Sequence, residues 1–254
     1  MSENSAPAPK KRRQPEQQAP PVQKLRVRYA KRGPARFTSH RDVGRALERA
    51  LRRAEIPMAY SSGFNPHPRI SYANASPTSA ATEAEYLELG LSAVCNPDKV
   101  AAALNEVLGP GLDVVAVVEA GKESLQDLLA ASAWLIDLGE VDQDLLTGAI
   151  DKLNAAESVT VQRMTKGGLR EFDVVQAMVE LRPHTNPGQV FFIGTHEAPL
   201  VRPDDVVTAL RQLEPGLGQD RPALLTRLAQ GRLPTPPAPG TLVDPFSGEA
   251  VSVG

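Results

Sequence analysis

Between Leu25 and Val118 the hydrophobic pattern switches between a strand period and a helix period in an order that few folds accommodate. Leu25, Val27 and Tyr29 fall on one side of an extended segment, and Arg26, Arg28 and Ala30 on the other, which predicts a half-buried strand. After the turn at Gly33-Pro34, Thr38-Ser39 marks a helix start, with Asp42 three residues beyond Ser39 in the manner of a capping box. Val43, Ala46, Leu47, Ala50, Leu51 and Ala54 then recur at helical spacing until Pro57 ends the run. Met58–Tyr60 and Arg69–Ala73 read as extended arms around a loop, and Glu85–Leu91 as a strand. Asn96-Pro97-Asp98 opens a second helix, Gly109-Pro110-Gly111 stops it, and Leu112–Val118 is a β-branched strand. The order βαββαβ predicts a ferredoxin-like unit, a small antiparallel sheet with two helices on one face, over residues 24–120.

A second cycle follows over residues 130–215. Strands are expected at Ala133–Leu138, Val159–Met164, Val174–Arg182 and Gln189–Thr195, with helices at Gln143–Ala155 and Pro203–Leu213. The fold class is therefore α+β, with tandem ferredoxin-like halves. Residues 1–23 are rich in Pro, Gln, Ala and Lys, too poor in large apolar groups to offset the entropy of ordering, and read as a disordered basic tail. Residues 216–254 read as a C-terminal strap.

The net charge of -2 conceals an asymmetry. Residues 24–73 hold twelve Lys or Arg against three acids (Asp42, Glu48, Glu55), a net of +9, and residues 1–23 add four against two. The remainder carries -13. Such a distribution suits a polyanion on one face or electrostatic docking between two surfaces. No apolar run reaches the length a membrane helix needs, no secretory leader is visible, and a cytoplasmic location is expected. Cys95 is the single cysteine, so the chain alone can build no disulfide, no paired-cysteine zinc site and no iron-sulfur cluster. No metal or cofactor of its own is expected.

The richest segment runs from Phe37-Thr38-Ser39-His40-Arg41-Asp42 to Tyr60-Ser61-Ser62-Gly63-Phe64-Asn65-Pro66-His67-Pro68-Arg69-Ile70-Ser71, followed by Glu83-Ala84-Glu85-Tyr86-Leu87. These motifs resemble the radical-SAM-linked protein family, a domain of unknown function fused to or encoded beside cobalamin-dependent radical SAM proteins. The likeness covers most of Leu25–Leu213. It implies a radical SAM enzyme as protein partner and assigns no reaction to this chain.

Candidate binding residues follow from the chemistry of the same segment. Arg41, Arg45, Arg49 and Arg52 share one helix face, and planar guanidinium groups bind phosphates bidentately. Pro66 and Pro68 stiffen the loop so that Phe64, Asn65, His67 and Arg69 can present a ring, an amide, an imidazole and a guanidinium to RNA. The expected function is an RNA-binding or RNA-presenting accessory protein working with a radical SAM enzyme, not an enzyme on its own. One alternative is a docking subunit of that system without nucleic acid. Another is a metal-independent endoribonuclease in which His40 and His67 move protons, an analogy of fold with CRISPR repeat-processing enzymes. His184 and His196 lack metal-ligand spacing and read as structural.

Overall fold

The computed structural model describes residues 17–218 and 221–254. The Lys10–Arg13 run and most of the expected tail lie outside the described residues. Gln18 and Val22, also assigned to that tail, bond into the fold: the Gln18 N–H donates to Ser62 Oγ at 2.9 Å and the Val22 N–H to the Leu91 carbonyl at 2.8 Å.

β1 (Gln23–Lys31) leads through a tight 3-10 turn to α1 (His40–Arg53). Ser39 caps α1, accepting from the Asp42 N–H at 3.2 Å and donating its hydroxyl to the Asp42 carboxylate at 2.7 Å. β2 (Ile70–Ala73), β3 (Ala81–Leu91), α2 (Pro97–Val107) and β4 (Leu112–Glu119) complete the first half. Asn96 caps α2 by accepting from the Lys99 N–H at 3.0 Å, as the Asn-Pro-Asp start predicts. The strands lie in the order β4-β1-β3-β2, every pair antiparallel.

The chain continues through the one-turn α3 (Leu125–Leu128), β5 (Ala131–Asp137), α4 (Gln143–Ala155), the hairpin β6 (Thr160–Thr165) and β7 (Gly168–Asp173), and the one-turn α5 (Val174–Ala177). β8 (Met178–Pro183), β9 (Gln189–Thr195), α6 (Pro203–Leu213) and β10 (Leu224–Gly231) follow, and then a small hairpin of β11 (Thr241–Val243) and β12 (Ala250–Ser252). Here the order is β10-β5-β9-β8. β10 runs antiparallel to β5 and also pairs, parallel, with β3 at Thr226–Ala81 and Arg227–Thr82. The two halves thereby share one eight-stranded, mainly antiparallel sheet, and the protein is α+β.

Three expectations are corrected. The strap over 216–254 contains β10, a strand at the middle of the sheet, hidden in the sequence by the polar Thr226, Arg227 and Gln230 that interrupt its apolar pattern. The strand over Val174–Arg182 begins only at Met178, because Asp173 accepts from the Val175 N–H at 3.1 Å and caps a helical turn first. The strand at Val159–Met164 pairs with β7 in a separate two-stranded ribbon and not with the main sheet.

Strand alternation decides what each face of the sheet meets. Leu25, Val27 and Tyr29 of β1 and Leu87, Leu89 and Leu91 of β3 pack against Val43, Leu47 and Leu51 of α1 and Val100 and Leu104 of α2. Trp134, Ile136, Val190 and Phe192 do the same against α4 and α6. The opposite face is covered as well: Phe246 packs with Tyr86, Leu125 and Leu129, and Leu242 with Ala131, Ala133, Phe191 and Ile193. β1 is therefore buried on both faces, and Arg26 and Arg28 point into cover and not into solvent.

Arg227 fastens the halves together. It pairs with Glu85 of β3, donates to the Asn74 carbonyl at 2.7 Å and reaches Thr82 Oγ1 at 3.4 Å, all partners from the first half. Both members of the ion pair are almost wholly buried. Removing one partner of such a pair strands the other charge without water, so Arg227→Met is expected to cost about 3–5 kcal/mol. Urea unfolding of the variant beside the native chain measures it; a loss below about 1 kcal/mol would place the pair among surface bridges in effect.

Candidate functional site

Eight of the twelve cations of residues 24–73 form an ion pair or a hydrogen bond within the fold. Arg26 donates to the Gly121 carbonyl at 3.3 Å and to that of Glu123, and pairs with Glu88. Arg28 donates to the Glu83 carbonyl at 3.0 Å and lies 3.6 Å from Asp244. Lys24 holds Glu88 at 2.8 Å, Arg32 pairs with Glu83 and Asp113, and Arg36 donates to the Ser79 carbonyl at 2.6 Å. Lys31 is buried with its ammonium 3.5 Å from the Pro77 carbonyl, and that burial pulls its pKa down.

The α1 arginines stay outside. Arg41, Arg45, Arg49, Arg52 and Arg53 are exposed, and among the described residues only Arg45 forms an ion pair, with Asp42 at 3.5 Å. Glu48, Asp42 and Glu55 share the helix region, so five cations face three acids there. Arg49 and Arg53 also edge a groove of about 550 Å³ between α1 and the turn before β4.

The Gly63–Pro68 loop stands at the Leu91 end of β3. Ser61 closes it, its N–H donating to the His67 carbonyl at 2.8 Å and its hydroxyl accepting from the His67 N–H at 3.0 Å. Gly63 has φ of 150°, a conformation side chains of the L series rarely adopt. Phe64 is 77 % exposed, which removes the possibility that it anchors the core. Asn65 and His67 are exposed with it, whereas Arg69 is half-buried and spends its Nε on the Tyr60 carbonyl at 3.1 Å.

Among the described residues no hydrogen bond or ring contact joins His40 to His67. His40, the first residue of α1, sets its ring edge-on to Tyr72 with centroids 5.0 Å apart, while His67 belongs to the loop. Burial, reinforced by the nearby Glu48 charge, pushes the Tyr72 phenol up to about 12, and its hydroxyl has no partner among the described residues.

His40 instead borders a cleft of about 650 Å³ at the seam of the two halves. Asn74, Ser76, Pro77 and Thr78 form one wall; Ser132, Trp134, His196 and Arg227 the floor; Lys166 of the β6–β7 turn with Leu200, Val201, Arg202 and Pro203 the other wall. No Asp or Glu lines it among the described residues, although Glu85 neutralises Arg227 from behind. The floor is a connected network. The Trp134 indole N–H donates to Ser132 Oγ at 2.7 Å, leaving the Ser132 hydroxyl to donate to His196 Nε2 at 3.0 Å. His196 Nδ1 then carries the proton, given to the Leu129 carbonyl at 2.6 Å, and the Asn74 amide donates to the same carbonyl at 3.0 Å.

His196 was thus visible as a histidine but not as a cleft residue; Asn74, Ser76, Ser132, Trp134 and Arg227 carry no motif, and Glu85 lay within the Glu83–Leu87 motif without an assigned role. The one signal available was polar side chains at inward positions of apolar strands, Glu85 in β3 and Arg227 in β10. His184 stays at the surface beside Thr185. Among the described residues no group of three or more His, Cys, Asp or Glu is placed to hold a metal, and no helix is long and apolar enough to cross a membrane.

A family model described as an uncharacterized protein conserved in bacteria (DUF2344) matches residues 24–203. The chain belongs to the DUF2344 family. The matched residues include α1, the Gly63–Pro68 loop and both walls of the cleft as far as Pro203; β10 with Arg227 lies beyond the DUF2344 match. Among solved structures the chain is similar to the crystal structure of an unknown protein from Galdieria sulphuraria, at 15% identity over 83% of this chain and 99% of that one, with a TM-score of 0.24. No curated protein matches significantly.

Burial, with Arg227 close by, lowers the His196 pKa and so favours the neutral ring, while the Leu129 bond opposes that shift. Above the unfolded-state value of about 6.5 the stabilisation is fully present. It declines as pH falls below that value towards the lower folded one, where the unfolded chain binds the extra proton. Thermal unfolding between pH 7.5 and 5 is expected to show this decline in the native chain and a shallower one in His196→Gln; equal slopes would contradict the assignment.

Proposed function

We propose that the chain is an RNA-binding accessory protein built from two ferredoxin-like halves, the first presenting the RNA-contacting surface. The repeated strand orders β4-β1-β3-β2 and β10-β5-β9-β8, each with two helices between its strands, support the two-half reading once the β6–β7 ribbon is taken as an insertion. On it, β10 extends the second half beyond residue 215.

One observation carries the RNA reading: where most cations of the basic segment are occupied within the fold, α1 keeps Arg41, Arg45, Arg49 and Arg52 in solvent, three of them without an ion pair among the described residues. A solvated helix without a polyanionic partner gains by pairing each arginine with an acid at helical spacing; here Glu48 lies at that spacing from Arg45 and Arg52, yet among the described residues Asp42 alone forms an ion pair with the stripe. The exposed Phe64, Asn65 and His67 supply a stacking ring and polar groups on a preorganised loop, favouring single-stranded over duplex RNA. A radical SAM enzyme as partner rests on the sequence resemblance alone. His40 and His67, lying in separate surroundings, favour binding over cleavage.

Each phosphate contact releases counterions and contributes about 0.7 to the slope of log affinity against log salt for a single strand. Replacing Arg41, Arg45, Arg49 and Arg52 together by Ala is therefore expected to flatten that slope by about 3 in filter binding across a salt series. A native affinity indifferent to salt, or a slope the variant leaves untouched, contradicts the proposal.

A further inference from the structure

The seam cleft has the chemistry of a site in its own right, and its residues are separate from the α1 stripe. Its cationic side is made by Lys166 and Arg202, both exposed, with His40 at the rim. Pro77, Leu200, Val201 and Trp134 add apolar surface to the same lining. At about 650 Å³ it falls within the size range of small-molecule sites, large enough for a single nucleotide.

Two further observations point to a ligand and not to a merely solvated crevice. Ser76, in the cleft wall, is 9 % exposed, and its hydroxyl oxygen, shielded from solvent, has no hydrogen-bond partner among the described residues, while the N–H of the same residue is satisfied by Glu85 at 3.2 Å. A buried hydroxyl left in that state is unfavourable unless something arrives to accept its proton. The second is the exclusion of acids from the lining although residues 74–254 carry a large excess of them. Phosphate oxygens are acceptors only, and an ammonium, a guanidinium and a free hydroxyl are all donors, so the three match without a repulsive partner.

We propose that this cleft binds a nucleotide phosphomonoester, the phosphate held between Lys166, Arg202 and the Ser76 hydroxyl, and the flat base against Pro77, Leu200 and Trp134. Free nucleotides and the phosphorylated end of an RNA present the same group. The proposal stands apart from the α1 reading, since neither set of residues contains a member of the other.

Trp134 is the only tryptophan of the chain and lies in the cleft floor, so its emission reports on occupancy. The full chain is titrated with adenosine 5′-monophosphate, with a short RNA bearing a 5′-phosphate and with the same RNA bearing a 5′-hydroxyl, followed by fluorescence and by calorimetry. Saturable binding of the mononucleotide supports a free-nucleotide site; binding that discriminates the phosphorylated from the hydroxyl end supports an RNA-end site. In either case Lys166→Ala with Arg202→Ala is expected to weaken it at least tenfold. Ser76→Ala is expected to weaken it severalfold while leaving the melting temperature unchanged or higher, because the lost hydroxyl bonds nothing among the described residues. Neither a fluorescence nor a calorimetric response to any of the three probes, or an undiminished response in the Lys166/Arg202 variant, overturns the proposal. The salt slope of RNA binding through α1 remains in these variants, so the two readings fail separately.

Discussion

The buried pairing of Arg227 with Glu85 is the constraint on which the rest of the molecule hangs. A guanidinium placed in the middle of a sheet requires a carboxylate and carbonyls within reach, and β3 and the Asn74 turn supply them. That requirement fixes β10 beside β3 as well as beside β5, and with it the register of one half against the other. It also shapes the cleft, because the same arginine and the turn that accepts from it form part of its lining.

A second consequence of burial is where charge ends up. β1 alternates apolar and cationic residues, which in an open sheet would leave Arg26 and Arg28 in water. The 119–125 connection and the C-terminal segment cover that face, so the arginines meet carbonyls, Glu88 and Asp244 instead. What remains for a partner is the outer side of α1, whose inner side is held to the sheet by Val43, Leu47 and Leu51. A net charge read along the sequence overstates the charge presented, since a sheet covered on both faces consumes its own ions.

Much of this was legible without coordinates, for reasons that can be named. α4, β9 and α6 begin and end where their residue patterns place them, because Asp142, the Asn186–Gln189 turn and Pro203 act locally. Ser39 and Asn96 announced their caps in the same way. β10 was not legible: its Thr226, Arg227 and Gln230 look like loop residues until their partners, some 140 positions earlier, are known. The cleft was hidden for the same reason, being assembled from six stretches far apart in the sequence. The Gly63–Pro68 loop was legible as a display of exposed groups, while its separation from His40 depends on which end of β3 each occupies, a property of the sheet and not of the motif.

On the proposed reading, α1 and the Gly63–Pro68 loop together form a surface for RNA. Ultraviolet crosslinking of the full chain to single-stranded RNA, with mass-spectrometric mapping of the attached residues, addresses it most directly. The expected result is adducts concentrated in residues 40–53 and 61–69, with Phe64 prominent, and their loss on digestion of the RNA before irradiation. Adducts confined to the acidic remainder of the chain, or none above a protein of similar charge, would contradict it.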